Sequence, residues 1–262
     1  MLICPVCGRK LNRENNAYVC ADRHSFDISK SGYVNLLPPS GRGRHGDDKT
    51  MVRARTEFLN AGYYERLAEA VADALEDCAG GVIVDAGCGE GYYTGYICGR
   101  YPDAEVIGLD ISKDALNAAA KRCRGKEFAV SSTAEMPLED GCADAVINVF
   151  SPLFEKEFSR VLKSGGKLVR AVPLEKHLHE LRALLYERPY DNEKPVYAVN
   201  GFTVKNISEI RYSIVLDNSM LKNLFMMTPY YYKTGKADQE KLDSIEKADI
   251  TIEFGLAEYI KE

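Results

Sequence analysis

The sequence lacks the features that mark a membrane or secreted protein. No apolar stretch reaches the roughly 20 residues that a helix needs to cross a bilayer. The start, Met-Leu-Ile-Cys-Pro, has neither the basic segment nor the long apolar segment of a signal peptide. Internal repeats and low-complexity segments are missing as well. Hydrophobic residues make up 45% of the chain, which is ample for a core, so we expect a folded, soluble, cytoplasmic protein with no membrane contact.

There is also little reason to expect disulfides. The chain has eight cysteines, but a cytoplasmic protein keeps its cysteines as thiols or as metal ligands. Five of them have no metal-ligand spacing, and we expect most of these five to be buried and inert. They are Cys78, Cys88, Cys98, Cys123 and Cys142.

The first three cysteines differ from the rest because, with one histidine, they form two close pairs. Cys4-x-x-Cys7 is followed after twelve residues by Cys20-x-x-x-His24, a spacing that lets one tetrahedral Zn²⁺ hold two short turns. A redox Cys-x-x-Cys beside an unrelated Cys and His is the alternative, but no βαβ pattern surrounds the motif. Four protein ligands make the predicted zinc structural. Residues 1–37 are thus predicted to form a zinc-binding module that the metal helps to fold.

Positive charge is concentrated in the first 55 residues. The whole chain has a formal net charge of −5, yet this segment holds ten Lys and Arg against five Asp and Glu. Residues 38–52 include a run rich in Gly and Pro and without periodicity, which is typical of a linker. Such polarisation suits a bound polyanion, although a merely solvated loop explains the charge equally well. The candidate polyanion-binding residues are Arg42, Arg44, Arg53 and Arg55.

The chain is organised around Val82–Thr94, a β-branched run that breaks into Gly87, Gly89 and Gly91. This pattern predicts a buried strand that turns tightly into a helix, with bare backbone open to a ligand. A tight turn without a ligand is the alternative. A second apolar run, Val106–Asp110, ends in an acid at the distance where doubly wound folds place a ribose-binding carboxylate. The two features together favour a nucleoside cofactor.

The glycine spacing indicates which cofactor binds. Dinucleotide-binding loops read Gly-x-Gly-x-x-Gly, whereas this loop reads Gly-x-Gly-x-Gly and has Asp85 and Glu90 around the turn, which suits a cationic ligand. Asp85-Ala-Gly-Cys-Gly-Glu-Gly91 resembles the first motif of the Rossmann-like methyltransferases that use S-adenosylmethionine (SAM). That resemblance implies that Asp110 binds the ribose hydroxyls and that Ser132 or Thr133 lies beside the adenine.

Apolar segments with strand and helix character alternate after the glycine loop, which predicts a parallel sheet with its ligand at the carboxyl ends of the strands. We therefore predict an α/β protein with the Rossmann-like class I fold of SAM-dependent methyltransferases over residues 53–262, preceded by the small zinc module. A polar, Pro-containing stretch at about 174–205 is predicted to be an insertion over the cleft. Asn148-Val-Phe-Ser-Pro152 departs from the Asn/Asp-Pro-Pro-aromatic motif of enzymes that methylate exocyclic amines.

Several motifs together resemble the bacterial RlmA (RrmA) family, which methylates N1 of a guanine in large-subunit ribosomal RNA. They are Cys4-Pro-x-Cys7, Gly32-Tyr-Val-Asn-Leu-Leu-Pro38, Arg53-x-Arg55-x-x-Phe-Leu-x-Ala-Gly62, the glycine loop and Met227-Thr-Pro229. The resemblance implies a homodimer, RNA recognition by the zinc module, zinc ligands at Cys4, Cys7, Cys20 and His24, and cofactor contacts at Tyr64, Gly89, Glu90 and His177. The predicted cofactor site is then Tyr64, Asp85, Gly87, Gly89, Glu90, Gly91, Asp110, Ser132, Thr133 and His177.

The expected activity is SAM-dependent methylation of guanine N1 in a hairpin loop of 23S rRNA. This edge of guanine is base-paired in a duplex, so the target base must be exposed, and aromatic side chains at the cleft are candidates to stack on it. These candidates are Phe150, Tyr230, Tyr231 and Tyr232. The sequence identifies no general base. Two alternatives stay open, a small-molecule or quinone methyltransferase and a non-catalytic, zinc-dependent RNA-binding protein.

Overall fold

The structure, a computed structural model, describes residues 1–38 and 46–262. The predicted linker falls partly between these ranges, and Arg42 and Arg44 lie outside the described residues. Within the two ranges, no helix combines the length and apolar character needed to span a membrane.

Three short antiparallel strands come first: β1 (Leu11–Glu14), β2 (Ala17–Cys20) and β3 (Ser25–Asp27), in the order β1-β2-β3. The next strand, β4 (Tyr33–Asn35), does not join this sheet. It pairs in parallel with the strand Glu127–Val130 at the edge of a larger sheet. The N-terminal region is thereby hydrogen-bonded to the rest of the molecule.

Two helices follow, α1 (Lys49–Asn60) and α2 (Glu65–Asp73), then a 3-10 turn (Glu76–Cys78). Asp48 begins α1 by accepting hydrogen bonds from the backbone N–H groups of Thr50 and Met51. The helices are separated at Gly62, whose φ of +85° favours glycine. The sequence predicted this break near Gly62 inside Met51–Cys78, and the structure confirms it.

The central elements alternate as the sequence predicted. They are β5 (Val82–Ala86), α3 (Tyr92–Arg100), β6 (Glu105–Asp110), α4 (Lys113–Arg122), β7 (Glu127–Val130), β8 (Ala143–Val149), α5 (Glu155–Val161) and β9 (Leu162–Pro173). Ser112 caps α4 by accepting from the N–H of Ala115, as predicted.

The C-terminal part contains α6 (His179–Leu185), β10 (Phe202–Asp217), α7 (Asn218–Met226), α8 (Tyr230–Lys233), α9 (Lys236–Glu240), a 3-10 turn (Lys241–Ser244) and β11 (Lys247–Lys261). The apolar pattern predicts strands only over Ile210–Leu216 and Ile250–Leu256, whereas the observed β10 and β11 are longer. The part of β10 before Ile210 is mostly exposed and lacks the apolar alternation by which a strand is recognised, but it pairs with β11 along its length.

The large sheet has the strand order β10-β11-β9-β8-β5-β6-β7-β4. Strands β4 to β9 run parallel within it, and β11 pairs antiparallel with both β9 and β10. The chain moves outward from β5 through β6 to β7 and then returns to β8 on the other side. In doubly wound sheets a ligand binds at such a reversal point, at the carboxyl ends of the strands. The glycine loop that follows β5 lies there.

Apolar side chains cover both faces of the sheet. Adjacent residues of β5 belong to different clusters: Ile83 belongs to the cluster that includes residues of α1, α2 and α7, and Val84 belongs to the cluster that includes residues of α5. The cluster around Val84 also includes Leu2 and Leu11 from the N-terminal region. The small sheet and the large sheet therefore share one continuous core.

Candidate functional site

The four predicted zinc ligands come together in the structure. Their ligand atoms all lie within 4.8 Å of one another. Cys4 Sγ is 3.5 Å from His24 Nδ1, Cys20 Sγ is 3.4 Å from the same nitrogen, and Cys7 Sγ is 3.6 Å from Cys20 Sγ. Zinc–sulfur bonds of about 2.3 Å and zinc–nitrogen bonds of about 2.0 Å give tetrahedral edges of this length. The donor set and its spacing thus fit one structural Zn²⁺.

Two tight turns hold this cluster. The N–H of Gly8 donates to the carbonyl of Cys4 at 2.8 Å, and the N–H of Arg23 donates to the carbonyl of Cys20 at 2.9 Å. Both donors have positive φ, +70° for Gly8 and +65° for Arg23. Each turn directs the side chains of its ligand pair toward the same point, which is the arrangement that the spacing of the sequence predicted.

The three glycines of the loop have different roles, although all have positive φ. A Cβ on Gly87 would collide with Ser151, and one on Gly91 would lie 2.9 Å from Cβ of Ala119. These two positions need glycine for packing. Among the described residues other than its chain neighbours, the atom nearest to the position of a Cβ on Gly89 is Nη1 of Arg55, at 3.8 Å. Gly89 is therefore the residue that leaves bare backbone facing the cleft.

Asp85 is a buried acid at the end of β5. The hydroxyl of Thr94 donates to its Oδ2 at 2.5 Å, which ties the first turn of α3 to the strand. Burial raises the pKa of Asp85 to about 7, and the charges of Asp110 and Glu90 act in the same direction. A positively charged ligand nearby would favour its ionised form.

Asp110 ends β6 beside the glycine loop. Its Oδ2 accepts from the N–H of Gly89 at 2.9 Å, and its Oδ1 accepts from the N–H of Ser112 at 2.8 Å. Burial raises its pKa, whereas these two hydrogen bonds oppose the rise. A carboxylate oxygen accepts more than one hydrogen bond, so the group keeps acceptor capacity for a ribose diol.

Glu90 is a buried acid whose surroundings fit a cationic ligand. The residue is 2% exposed, and its Oε1 has no hydrogen-bond partner among the described residues. Burial raises its pKa, and the nearby Arg55 works against that rise. Buried acceptors are almost always paired in folded proteins. An ammonium group such as that of SAM satisfies this need, so the residues of the cleft fit this cofactor.

The carboxyl end of β7 adds hydroxyl groups to the cleft. Ser132 Oγ accepts from the N–H of Ala134 at 3.2 Å, and Thr133 is half-buried. Ser131, which was not among the predicted cofactor residues, has a buried Oγ without a partner within the described residues. Its N–H donates to the carbonyl of Asp110 at 3.0 Å. Its place directly after a predicted strand was the signal that could have identified it.

Tyr64 and His177, which lie 113 residues apart in the chain, meet in the buried interior. Tyr64 Oη is 3.4 Å from His177 Nε2, and the N–H of Glu253 donates to His177 Nδ1 at 3.2 Å. The accepting Nδ1 has no proton, so the neutral ring has its proton on Nε2 and donates it to Tyr64. Burial lowers the pKa of His177 to about 3. The histidine is thus a neutral donor, and its one lone pair is already used.

Phe150 lies against this pair at the carboxyl end of β8. Its ring is nearly parallel to that of His177, at 16° and with 6.4 Å between centroids, and the residue is 43% exposed. Phe150 also has a φ of +52°, an uncommon value for a large side chain. Such strain often marks a functional position. The apolar run Ala143–Phe150 predicts a strand that includes Phe150, which is wrong, since β8 ends at Val149.

The two described arginines of the predicted polyanion site occupy different environments. The side chain of Arg53 is 81% exposed and pairs with Glu57 on the same helix at 2.7 Å. Arg55 is only 23% exposed, pairs with Asp47 and lies against the glycine loop. The structure therefore places Arg55 in the cofactor cleft rather than on an open surface, and an RNA contact there remains a prediction.

The three tyrosines that were candidates for stacking also differ. The hydroxyl of Tyr230 accepts from buried Arg182 at 2.7 Å, and Tyr231 packs edge-on against Phe225. Tyr232 is 65% exposed. Bonds to Arg182 and Asn192 make Tyr230 part of the wall that holds the segment between β9 and β10, whereas Phe150 has both exposure and a place beside the cleft.

Comparisons with known proteins agree with this geometry. A family model for the RlmA N-terminal region matches residues 2–42, and a methyltransferase domain model matches residues 83–166. YxjB of Bacillus subtilis, whose name describes a 23S rRNA (guanine-N(1)-)-methyltransferase, is 32% identical over 98% of this chain and 95% of its own. The 23S rRNA (guanine(748)-N(1))-methyltransferase of Streptomyces fradiae is also 32% identical, over 87% of this chain and 84% of its own.

Solved structures support the fold. The YcgJ protein of Bacillus subtilis has a TM-score of 0.56 at 14% identity, covering 76% of this chain and 99% of its own. A geranyl diphosphate methyltransferase in complex with SAM has a TM-score of 0.51 at 17% identity, covering 84% and 93%. At such low identity these likenesses show the class I methyltransferase fold alone.

Proposed function

The chain belongs to the RlmA family of 23S rRNA (guanine-N1)-methyltransferases, and we propose that it transfers a methyl group from SAM to N1 of a guanine in a hairpin loop of 23S rRNA. It is a SAM-dependent methyltransferase with one structural zinc. The observation that carries the proposal is the presence, in one continuous core, of a three-cysteine, one-histidine cluster and a glycine cleft with an orphaned acid.

The residues of the cleft define how the cofactor would be held. Glu90 offers an unpaired buried oxygen to an ammonium, and Asp110 offers acceptors to a ribose diol. Tyr64 and His177 form a neutral, rigid wall beside them. When bound, SAM supplies an electrophilic methyl group on a positively charged sulfur. The protein's own part is then to orient the acceptor base and to exclude water.

Guanine N1 has a proton at neutral pH, and this proton must leave for methyl transfer to occur. His177 is excluded as the acceptor because its lone pair on Nδ1 is held by the N–H of Glu253 and burial keeps its pKa low. Phe150 is the aromatic group best placed to stack on an exposed guanine. The residue therefore positions the acceptor in this proposal, and it does not take the proton.

RNA recognition is proposed for the N-terminal region and the basic linker. Before residues 39–45, the N–H of Leu36 donates to the carbonyl of Val130 at the end of β7. After them, the carbonyl of Asp47 accepts from the hydroxyl of Ser112 just beyond β6. Leu36 and Asp47, which are described residues on the two sides of 39–45, thus lie beside the cofactor cleft. We also propose action as a homodimer in the cytoplasm.

The direct test is methyl transfer from labelled SAM to unmodified 23S rRNA, followed by reverse transcription. A methyl on N1 blocks base pairing, so we expect label in the RNA and one new stop at a hairpin-loop guanine. Binding of SAM without label in the RNA would contradict the proposal and would favour a small-molecule acceptor. A parallel incubation with a quinone tests the small-molecule alternative, which predicts label in the quinone.

A further inference from the structure

Arg55 differs from the other described arginine of the predicted polyanion site because its guanidinium lies inside the cofactor cleft. Its side chain is 23% exposed, against 81% for Arg53 on the same helix. Nη1 pairs with Asp47 and lies 3.8 Å from the position that a Cβ on Gly89 would take. Nη2 donates to the carbonyl of Met227 at 3.2 Å. The guanidinium therefore faces the bare backbone of the glycine loop.

The charges around Arg55 are arranged as the inverse of the charges on SAM. Glu90 and Asp110 are acids within the electrostatic reach of the guanidinium, and Arg55 opposes the rise that burial causes in the pKa of each. SAM has an ammonium and a sulfonium, both positive, a neutral ribose diol and one carboxylate. The two acids account for the ammonium and the diol. Neither of them can bind the carboxylate.

A guanidinium is the group best suited to the remaining charge. Its five N–H donors form a planar fork that matches a carboxylate, and the described residues use two of them through the bonds to Asp47 and Met227. We propose that Arg55 binds the methionine carboxylate of SAM and so distinguishes amino-acid-bearing ligands from analogues that lack this group.

This role connects two sequence motifs that the rest of the site leaves unexplained. Arg55 belongs to Arg53-x-Arg55, and Met227 begins Met227-Thr-Pro229. The hydroxyl of Thr228 donates to the carbonyl of Phe225 at 2.7 Å and closes the end of α7. Helices α1 and α7 therefore hold the guanidinium from both sides, and the carbonyl of Met227 fixes its orientation.

A contact between Arg55 and an RNA phosphate is the competing interpretation of the same side chain. A phosphate contact needs an accessible cation, whereas Arg55 is mostly buried and faces two acids. Arg53 has the exposure that a phosphate contact needs, so it serves as the matched control. The inference rests on SAM as the cofactor and is independent of the identity of the methyl acceptor.

The test compares two ligands by calorimetry on the zinc-loaded enzyme: S-adenosylhomocysteine and its decarboxylated analogue. The unchanged protein should bind S-adenosylhomocysteine at least about tenfold more tightly than the analogue. Arg55→Gln should lower the affinity for S-adenosylhomocysteine by about 10- to 100-fold and the affinity for the analogue by less than about threefold. Arg53→Gln should leave both affinities unchanged.

Equal weakening of both ligands by Arg55→Gln would overturn the proposal, because the arginine would then support the cleft and not the carboxylate. Unchanged affinity for S-adenosylhomocysteine with weakened RNA binding would assign Arg55 to a phosphate. If Arg55→Gln does not fold, the two affinities of the unchanged protein test the proposal. Binding of S-adenosylhomocysteine less than about twofold tighter than binding of the decarboxylated analogue would overturn it, because a charged hydrogen bond to the carboxylate is stronger than that. Intact ligand affinities without methyl transfer to rRNA would overturn only the proposed function.

Discussion

The N-terminal region and the cofactor cleft achieve a fixed geometry by different physical means. The N-terminal region has strands of three or four residues, and four ligand atoms meet there at one point. The cleft lies at the reversal point of an eight-stranded sheet with apolar clusters on both faces. A small region can order a few side chains through a metal, whereas a ligand cleft with buried acids requires a large core around it.

The two regions are nevertheless packed as neighbours. Strand β4 pairs with β7, Leu2 forms a bridge with Leu138, and Leu2 and Leu11 belong to the same core cluster as Val84. This contact raises the question of whether loss of the metal would spread to the cleft. Strands β5, β6, β8 and β9 pair with one another without the N-terminal region, so we expect the cleft to survive.

The largest expected effect comes from removing a zinc ligand. Cys20→Ala should abolish zinc binding, which in small zinc modules contributes a free energy on the order of 10 kcal/mol. It should also weaken RNA binding at least about 100-fold. Affinity for S-adenosylhomocysteine should change by less than about threefold. Metal analysis, an RNA gel shift and calorimetry measure the three quantities.

Cys142→Ala is the matched control, since this half-buried cysteine lies outside the cluster. It should keep zinc, RNA binding and cofactor binding. An equal loss of cofactor and RNA affinity in Cys20→Ala would mean that the two regions unfold together.

The reverse experiment breaks the cleft and leaves the metal in place. Asp110→Asn removes a charge at the end of β6. The affinity for S-adenosylhomocysteine should fall by about 10- to 100-fold, as expected for loss of a charged hydrogen bond. Zinc content should not change. Glu105→Gln, at the exposed opposite end of the same strand, should leave both unaffected. Loss of zinc in Asp110→Asn would contradict the separation of the two sites.

A smaller effect is expected at the exposed aromatic ring beside the cleft. Phe150→Leu keeps an apolar side chain but removes the stacking surface, so methyl transfer to RNA should slow about tenfold. Calorimetry should show an unchanged affinity for S-adenosylhomocysteine. Tyr232→Leu changes another exposed aromatic residue and provides the comparison. If the Phe150 variant loses cofactor affinity and keeps its turnover at saturating cofactor, the ring serves the cofactor.

The smallest effect concerns acid stability. The pKa of His177 is about 3 in the fold, below the value of about 6.5 expected in the unfolded chain, so the unfolded state binds more protons between these values. The stability that the neutral His177 contributes to the free energy of unfolding is present above pH 6.5 and is lost as the pH falls toward 3. At pH 5.5 this loss should reach about 1.4 kcal/mol.

His177→Asn keeps an acceptor for the N–H of Glu253 but does not titrate. Its free energy of unfolding should therefore fall less than that of the unchanged protein between pH 7 and pH 5.5, measured by urea denaturation. If the free energy of unfolding falls equally in the variant and in the unchanged protein, the fold does not hold this histidine neutral.

The sequence was sufficient for features that depend on local spacing. The zinc ligands belong to two short turns, and the glycine loop with Asp110 belongs to consecutive βα units. Their geometry follows from a few neighbouring residues, and the structure confirms that the four zinc ligands come together and that the loop lies next to Asp110.

Contacts between distant segments could not be predicted in this way. Arg55 and Met227 are 172 residues apart, and no local pattern indicates that α1 and α7 place them in contact. The same holds for the N–H of Glu253, which fixes the proton on His177. Both contacts depend on how the C-terminal strands and helices pack over the sheet, and only the fold shows this.

The measurement that tests the central claim most directly is the identity of the methylated nucleoside. Unmodified 23S rRNA would be incubated with the zinc-loaded enzyme and SAM, digested to nucleosides and analysed by chromatography with mass spectrometry. We predict 1-methylguanosine, at one equivalent or less per RNA, and about 10- to 100-fold slower formation with Asp110→Asn when SAM is well below saturation. A guanosine methylated at another atom, or an rRNA without added methyl while SAM binds normally, would contradict the account.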